Sequence, residues 1–484
     1  MNTIKIDPQR TIGQLDRNVF GGFAEHLGRC IYGGMFDEGS PLSDELGMRQ
    51  DVLAALRELR MPIIRYPGGN FVSGYRWTDG IGPRDERPAR PELAWRTVET
   101  NRFGTDEFVD WCRQAGTEPY LAVNCGDGDM REARDWVEYC NGAQDTYWAN
   151  MRRRNGHAEP HNVRYWGIGN EVDGPWQMGM KTPDEYARAC TEYAKLMKMV
   201  DPSIKIVASW TSGWFQDWVE RGQLLMEQAG KLVDYMAIHW YVGNREDDFG
   251  AYMALSEQFE DRLTASAGLL RAMSSCLKLQ NPVYLAVDEW NVWYRTRGDD
   301  QLAEVYNLED ALVVALQMNA FIRHADTVKM ANIAQIVNVI APLVTRPDGL
   351  LRQSIFYPFA AISQAAGDVA LDAYWEGETF EGGGHAGLRV LDVAATCADD
   401  SAVMVSIVNR ALQGVAATVA LQQGEFAGAG EATVINGSDV HAYNTFEEPD
   451  RVTARTSKLS ASGSTLTLEL EPHSVTVLRL PLRR

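Results

Sequence analysis

Eight short runs rich in Val, Ile, Tyr and Trp recur along the first two thirds of the chain, and helical segments separate them. The runs are residues 18–25, 62–67, 119–126, 164–171, 205–210, 234–241, 283–290 and 327–335. Between them apolar side chains repeat at spacings of three and four, as in Val52, Leu53, Leu56 and Leu59, or Tyr186, Ala189, Cys190, Tyr193, Leu196 and Met197. Thr105-Asp106-Glu107 and Thr182-Pro183-Asp184-Glu185 predict helix starts, the second with proline at the first helical position. Strand–helix alternation repeated eight times predicts a parallel sheet closed into a (β/α)8 TIM barrel. An open doubly wound sheet would carry a glycine-rich phosphate turn after its first strand. Gly21-Gly22-Phe23-Ala24-Glu25 lies inside the strand instead, which disfavours a dinucleotide-dependent dehydrogenase.

Past residue 370 the helical periodicity stops and alternating strands take over, at 387–394, 402–408, 415–421, 465–470 and 474–480. Gly- and Ser-rich turns between them predict a C-terminal β-sandwich of jelly-roll type. The alternating Thr3-Ile4-Lys5-Ile6 precedes the barrel and is expected to add a strand to that sandwich. The predicted division is 1–15 for the N-terminal strand, 16–370 for the barrel and 371–484 for the sandwich. Asn436-Gly437-Ser438 reads as a turn.

With 46 Lys plus Arg against 66 Asp plus Glu, the formal charge is −20, which gives no footprint for nucleic acid or an anionic membrane. No stretch approaches 18 consecutive apolar residues, and the N-terminal residues lack the apolar run of a signal peptide. Seven scattered cysteines without a close CxxC pair predict reduced thiols in a cytoplasmic protein. His26 and Cys30 are too few ligands for a metal site, and neither a metal nor an organic cofactor is expected.

A TIM barrel builds its active site at the C-terminal ends of its strands. Six of the eight runs end in polar groups: Glu25-His26, Arg65 through Asn70, Asn124, Asn170-Glu171, His239-Trp240-Tyr241 and Asp288-Glu289-Trp290. An apolar strand finishing in a carboxylate is a poor structural choice, because a buried unpaired charge costs several kcal/mol. Glu171 and Glu289 lie 118 positions apart, three strand–helix units, which sets them on strands four and seven across the mouth. Two carboxylates flanking one bond are what glycoside hydrolysis requires: a proton donor and an ionised partner. Asn170 is placed to bind a sugar hydroxyl. Trp166, Trp176, Trp240, Tyr241, Trp290, Trp293 and Tyr294 crowd the same mouth as stacking surfaces.

Gly167-Ile168-Gly169-Asn170-Glu171 and Val287-Asp288-Glu289-Trp290-Asn291 resemble the acid/base and nucleophile motifs of the clan A retaining glycosidases. Within that clan the chain is similar to the α-L-arabinofuranosidases of glycoside hydrolase family 51. Further stretches carrying the likeness are Gly21 to Arg29, Arg65 to Phe71, Asp79 to Pro83, Asn101 to Gly104, His239-Trp240-Tyr241, Met330 to Asn332 and Gln335 to Asn338. The resemblance implies double displacement, with Glu289 as nucleophile and Glu171 as acid/base, its proton held by the negative charge of Glu289. It further implies that Glu25, Asn70 and Asn170 hold furanose hydroxyls, Glu25 as a charged acceptor. Tyr241 then stands beside the nucleophile, and Gln353 closes the pocket from the last loop. Arg65 is expected to orient the carboxylates, and His239 to be a hydrogen-bonded wall rather than a base. The implied substrates are arabinofuranosyl oligosaccharides, attacked from the non-reducing end, and the implied assembly is a homo-oligomer, hexameric or smaller. Two alternatives stand beside this: another clan A activity, such as β-xylosidase or endoglucanase, and a carbohydrate-binding protein without catalysis.

Overall fold

The computed structural model describes residues 2–296, 301–398 and 401–483. Eight parallel strands close a barrel: Gly21–Phe23, Ile63–Tyr66, Glu118–Val123, Tyr165–Ile168, Lys205–Thr211, Tyr235–Val242, Tyr284–Val292 and Val328–Ala334. They follow chain order around the ring, and the eighth pairs back onto the first. Ile63, Tyr120, Tyr165, Val207, Tyr235, Ala237, Ala286 and Met330 form their own buried cluster, which fills the barrel interior as packed layers. The larger core lies between the strands and the surrounding helices.

Local chemistry accounts for the helix starts. Thr182 and Glu185 cap the helix Pro183–Val200 reciprocally, with proline in the first turn. The helix Thr105–Ala115 begins one residue earlier than its sequence suggests. Gly104 is its cap, and the Glu107 carboxylate accepts the Gly104 N–H at 2.9 Å. Thr105 is thereby freed to accept the Trp136 indole N–H inside the core, at 3.1 Å. The first strand is shorter than residues 18–25, because Arg17–Phe20 winds into a 3-10 turn capped by Asp16.

Two antiparallel-rich sheets form the sandwich. One holds Asn2–Ile6 between Tyr374–Glu376 and Val415–Leu421, followed by Thr465–Leu470. The other has seven strands and draws in Thr11–Gln14 and Val369–Leu371 beside Leu391–Ala398. Two long strands of that sheet, Glu425–Asn436 and Thr453–Gly463, carry too few β-branched apolar residues to stand out in the sequence. Six of the seven cysteines are buried, and Cys276 is exposed.

The strand Val415–Leu421 alternates buried and half-buried side chains, as a one-sided sheet should. Leu391–Ala398 and Ala402–Asn409 are buried almost throughout, because the barrel covers their outer face. The cover is the helix Leu308–Arg323, whose residues Leu308 to Ile322 are all buried. At the seam Asp392 accepts Asn319 Nδ2 at 2.7 Å and Arg323 Nη1 at 3.0 Å, and Arg323 also reaches Glu260. Replacing Asp392 by Ala removes a buried carboxylate from two donors. The expected cost is roughly 2–4 kcal/mol of folding stability, read as an equal loss in denaturant unfolding followed by barrel and sandwich signals.

Candidate active site

Four strands deliver the polar groups at the mouth. Arg65 lies in the second strand, Glu171 follows the fourth, His239 and Tyr241 lie in the sixth, and Asp288 and Glu289 in the seventh. Adjacent residues on a strand ordinarily face opposite sides, yet Asp288 and Glu289 both meet Arg65 and His239. The ladder to the eighth strand slips between Val287 and Trp290, and the ladder between the sixth and seventh slips between Ala237 and His239. These irregularities let neighbouring side chains converge. Glu171 sits at φ 43°, a left-handed conformation costly for a side chain this size and typical of functional positions.

One oxygen of Glu171, one of Glu289 and one ring nitrogen of His239 lie within 4.8 Å of one another. His239 Nδ1 is 2.8 Å from Glu171 Oε1 and 3.5 Å from Glu289 Oε2, while its Nε2 is 3.1 Å from Asp288 Oδ1. Arg65 donates to Glu289 Oε1 at 2.7 Å and to Asn170 Oδ1 at 2.6 Å. Tyr241 donates to Glu289 Oε2 at 2.8 Å, and Trp176 donates from Nε1 to Glu171 Oε2 at 2.6 Å. From beneath, Tyr120 in the barrel interior donates to Asp288 Oδ2 at 3.0 Å. Arg65, Asn170, Asp288 and Glu289 are buried, and Glu171 is the more exposed acid, at 13 % of its side chain against 7 % for Glu289.

These contacts decide the charges. Burial alone lowers the His239 pKa, but Glu289, Asp288 and Glu171 around it raise it well above its ordinary value, so both ring nitrogens carry protons. Burial pushes Glu171 up, and the His239 hydrogen bond and charge, with the Trp176 N–H, outweigh it and hold the carboxyl low. For Glu289 burial wins: the carboxyl is raised, with His239 and Arg65 opposing and Glu171 and Asp288 adding to the shift. Asp288 stays low against its burial, under Arg65 and His239. The direction for Glu171 runs opposite to the one expected from the charge of Glu289, and its cause is the His239 ring, one hydrogen bond away.

Glu25 occupies a second position in the same mouth. Its Oε1 accepts the Phe71 backbone N–H and the Trp95 indole N–H, both at 3.0 Å, and Gln335 Nε2 lies 3.2 Å from Oε2. Burial pushes this carboxyl up to about 8, against the N–H groups of Phe71 and Trp95 that favour its charged form. In all three of these hydrogen bonds it is the acceptor. It does not pair with Arg65, whose partners are Glu289, Asp288 and Asn170. Gly68 and Gly69 make room for it: a methyl group on Gly69 would lie 2.6 Å from Glu25 Oε2.

Of the remaining candidates, Asn70 joins the cluster, its Oδ1 3.4 Å from Asn170 Nδ2. Trp293 flanks it, with its ring edge-on to Tyr241 at 5.7 Å. Gln353 stands apart. Its carboxamide accepts the Tyr306 N–H and donates to the carbonyls of Glu304 and Ala341, so it fixes backbone rather than facing the carboxylates. Asp288, Tyr120, Trp95 and Gln335 are the members that sequence reasoning missed. Asp288 carried a signal, as a second acid beside Glu289 on an apolar strand. Gln335 lay within a stretch that carried the family likeness, Tyr120 reads as barrel core, and Trp95, half-buried on the chain after the second strand, had no signal of its own.

Two family profiles match the chain. One is described as the α-L-arabinofuranosidase 1 domain, over residues 55–289, and the other as the α-L-arabinofuranosidase C-terminal domain, over 288–474. α-L-Arabinofuranosidase C of Emericella nidulans is 45% identical over 424 residues, 84% of each chain. An intracellular exo-α-(1→5)-L-arabinofuranosidase of Halalkalibacterium halodurans is 41% identical over 408 residues, 81% of each. The solved structure of a family 51 α-L-arabinofuranosidase from Bifidobacterium longum superposes with a TM-score of 0.93 at 32% identity, covering 99% of both chains. With its barrel, its paired acids and these relatives, the chain belongs to the α-L-arabinofuranosidases of glycoside hydrolase family 51.

Proposed function

We propose that the protein is an exo-acting α-L-arabinofuranosidase that releases terminal α-L-arabinofuranosyl units from arabino-oligosaccharides with retention of configuration. The observation that carries this reading is the spacing of the two acids. Retaining glycosidases hold their carboxyl groups about 5–5.5 Å apart, whereas inverting ones leave a gap of about 6.5–9.5 Å for a water molecule. Oxygens of Glu171 and Glu289 within 4.8 Å of each other match the first class.

Glu289 is the nucleophile. Arg65 and Tyr241 hold both its oxygens and aim one at the anomeric carbon. As the Glu289–carbon bond forms and the glycosidic bond breaks, Glu171 passes to the departing oxygen the proton it takes from His239 Nδ1 across the 2.8 Å hydrogen bond, and is left as a carboxylate. His239 becomes neutral just as esterification removes the Glu289 charge that had favoured its protonation. The net charge of the cluster is therefore the same before and after glycosylation, which suits a site with little water to screen a change. In the second half, Glu171 takes a proton from water and returns it to His239. The hydroxide attacks the same carbon and Glu289 leaves as a carboxylate. The greater exposure of Glu171 supports its side facing the leaving group and then water.

Asn170, Asn70 and Glu25 are assigned to the furanose hydroxyls, and Trp176 and Trp293 to the walls of the mouth. Gln353 serves indirectly, by holding the loop after the seventh strand. The functional division is 1–15, 16–370 and 371–484, supported by the sheets that the first and last segments share. A homo-oligomeric assembly, hexameric or smaller, and a cytoplasmic location complete the reading. One relative is named intracellular, and no described helix is long and apolar enough to cross a membrane.

Proton NMR of a nitrophenyl arabinofuranoside digest tests this directly: the first sugar signal should be the α-anomer, and a β-anomer would rule retention out. Glu289→Ala should abolish turnover. Glu171→Ala should lower kcat on arabino-oligosaccharides by about 10²–10⁴-fold, and far less on substrates with an acidic phenol leaving group.

Glu25 gives a separate test. Its folded value of about 8 lies above the ordinary 4.5, so between them the folded chain keeps a proton that the unfolded chain releases. Stability therefore falls as pH rises through that window, by roughly 3–5 kcal/mol from this group. Glu25→Gln keeps the acceptor for Phe71 and Trp95 and cannot ionise. Its melting temperature should decline less than the wild type's between pH 5 and pH 8.

A further inference from the structure

A second convergence of imidazoles and carboxylates lies away from the barrel mouth. Asp106 and Asp110 stand one turn apart on the helix Thr105–Ala115. His157 and His161 lie four residues apart in the segment between the helix Tyr147–Arg154 and the fourth barrel strand. Asp106 Oδ1 is 2.8 Å from His161 Nε2 and 3.9 Å from His157 Nε2, and His157 Nε2 is also 3.9 Å from Asp110 Oδ2. One atom from each of Asp106, His157 and His161 falls within 4.8 Å of the others. The two 3.9 Å gaps are too wide for hydrogen bonds. Donors bound to one tetrahedral zinc ion sit about 3.3–3.5 Å apart, given metal–ligand bonds of about 2.0–2.2 Å.

We propose that Asp106, Asp110, His157 and His161 form a structural site for a zinc-type divalent cation. Two imidazoles with two carboxylates suit zinc over magnesium or calcium, which take all-oxygen shells. Tyr139 donates to Asp106 Oδ2 at 2.7 Å, which orients the carboxylate and leaves Oδ1 toward the histidines. Asp106 and His161 are buried, whereas Asp110 and His157 are partly exposed and open a path from solvent. Arg113 opposes the ion, with Nη2 3.5 Å from His161 Nδ1 and Nη1 3.2 Å from Asp110 Oδ1. Its side chain is 51% exposed, so it can turn into water. When His161 Nε2 binds the ion, its ring proton sits on Nδ1, and Arg113 loses that acceptor. The bound ion ties the second-strand helix to the chain that enters the fourth strand and carries Asn170 and Glu171.

The test uses the full chain, freed of metal by a chelator. Calorimetry should show one Zn2+ bound per chain, and Co2+ should give the intense visible absorption of a tetrahedral site. His157→Gln and Asp110→Asn should each weaken Zn2+ at least about tenfold while leaving metal-free arabinofuranoside turnover unchanged. Arg113→Gln should tighten it. Glu171, His239 and Glu289 are a competing trio of ligand atoms, so Glu171→Gln serves as the control and should leave Zn2+ affinity as it was. A wild type that binds no Zn2+ overturns the site. So does binding that survives both His157→Gln and Asp110→Asn, or that Glu171→Gln abolishes.

Discussion

Two buried cations hold three carboxylates together at the top of the barrel, and the catalytic geometry depends on that balance. Asp288, Glu289 and Glu171 would repel one another with several kcal/mol per pair, at about 4 Å in a medium of effective dielectric near 20. Arg65 and His239 stand between them and each contacts more than one acid. Neither cation is an independent choice. Burying Arg65 or His239 without the acids would cost several kcal/mol as well, so the five groups are stable only as a set. Barrel closure makes the set, because the second, fourth, sixth and seventh strands meet only when the ring is complete.

The backbone carries the corresponding strain. Two register slips, a left-handed Glu171 and the bare surface of Gly68 and Gly69 all occur within the mouth. A regular ladder would turn Asp288 or Glu289 outward. An alanine at position 69 would push Glu25 from its pocket. The packed layer of Tyr120, Tyr165, Tyr235 and Met330 below offsets these irregularities, and Tyr120 spans the two regions through its bond to Asp288.

Much of this was legible from the residues. Eight strand runs and their capped helices identified the barrel, since parallel strands buried on both sides read as continuous apolar runs. The acids at residues 171 and 289 stood out because charge at the end of such a run is anomalous. What escaped were features set by tertiary partners. The strands Glu425–Asn436 and Thr453–Gly463 owe their existence to pairing with each other and with the last strand, since their Gly-, Ala- and Ser-rich sequences have little intrinsic β preference. Burial raises Glu25 and the surrounding carboxylates raise His239, and no spacing rule conveys either. His157 and His161 do have a ligand-like spacing in the chain, but their carboxylates come from a helix some fifty residues earlier.

The sandwich has a place in the same argument. The helix Leu308–Arg323 is buried around its whole circumference, so a barrel standing alone would expose one side of it to water. The seven-stranded sheet covers that side. The N-terminal end of the same helix, in turn, fixes the chain following the nucleophile. Asp310, in its first turn, pairs with Arg295 at 3.0 Å, and Glu304 accepts the backbone N–H groups of Arg295 and Thr296, each at 3.0 Å. Tyr306 donates to the Val292 carbonyl at 2.8 Å, at the end of the strand that bears Glu289. The sheet thus buries a helix, the helix anchors a loop, and the loop closes the strand whose displaced ladder aims the nucleophile. A β-domain whose described residues place no polar group in the mouth can in this way help to set the position of Glu289.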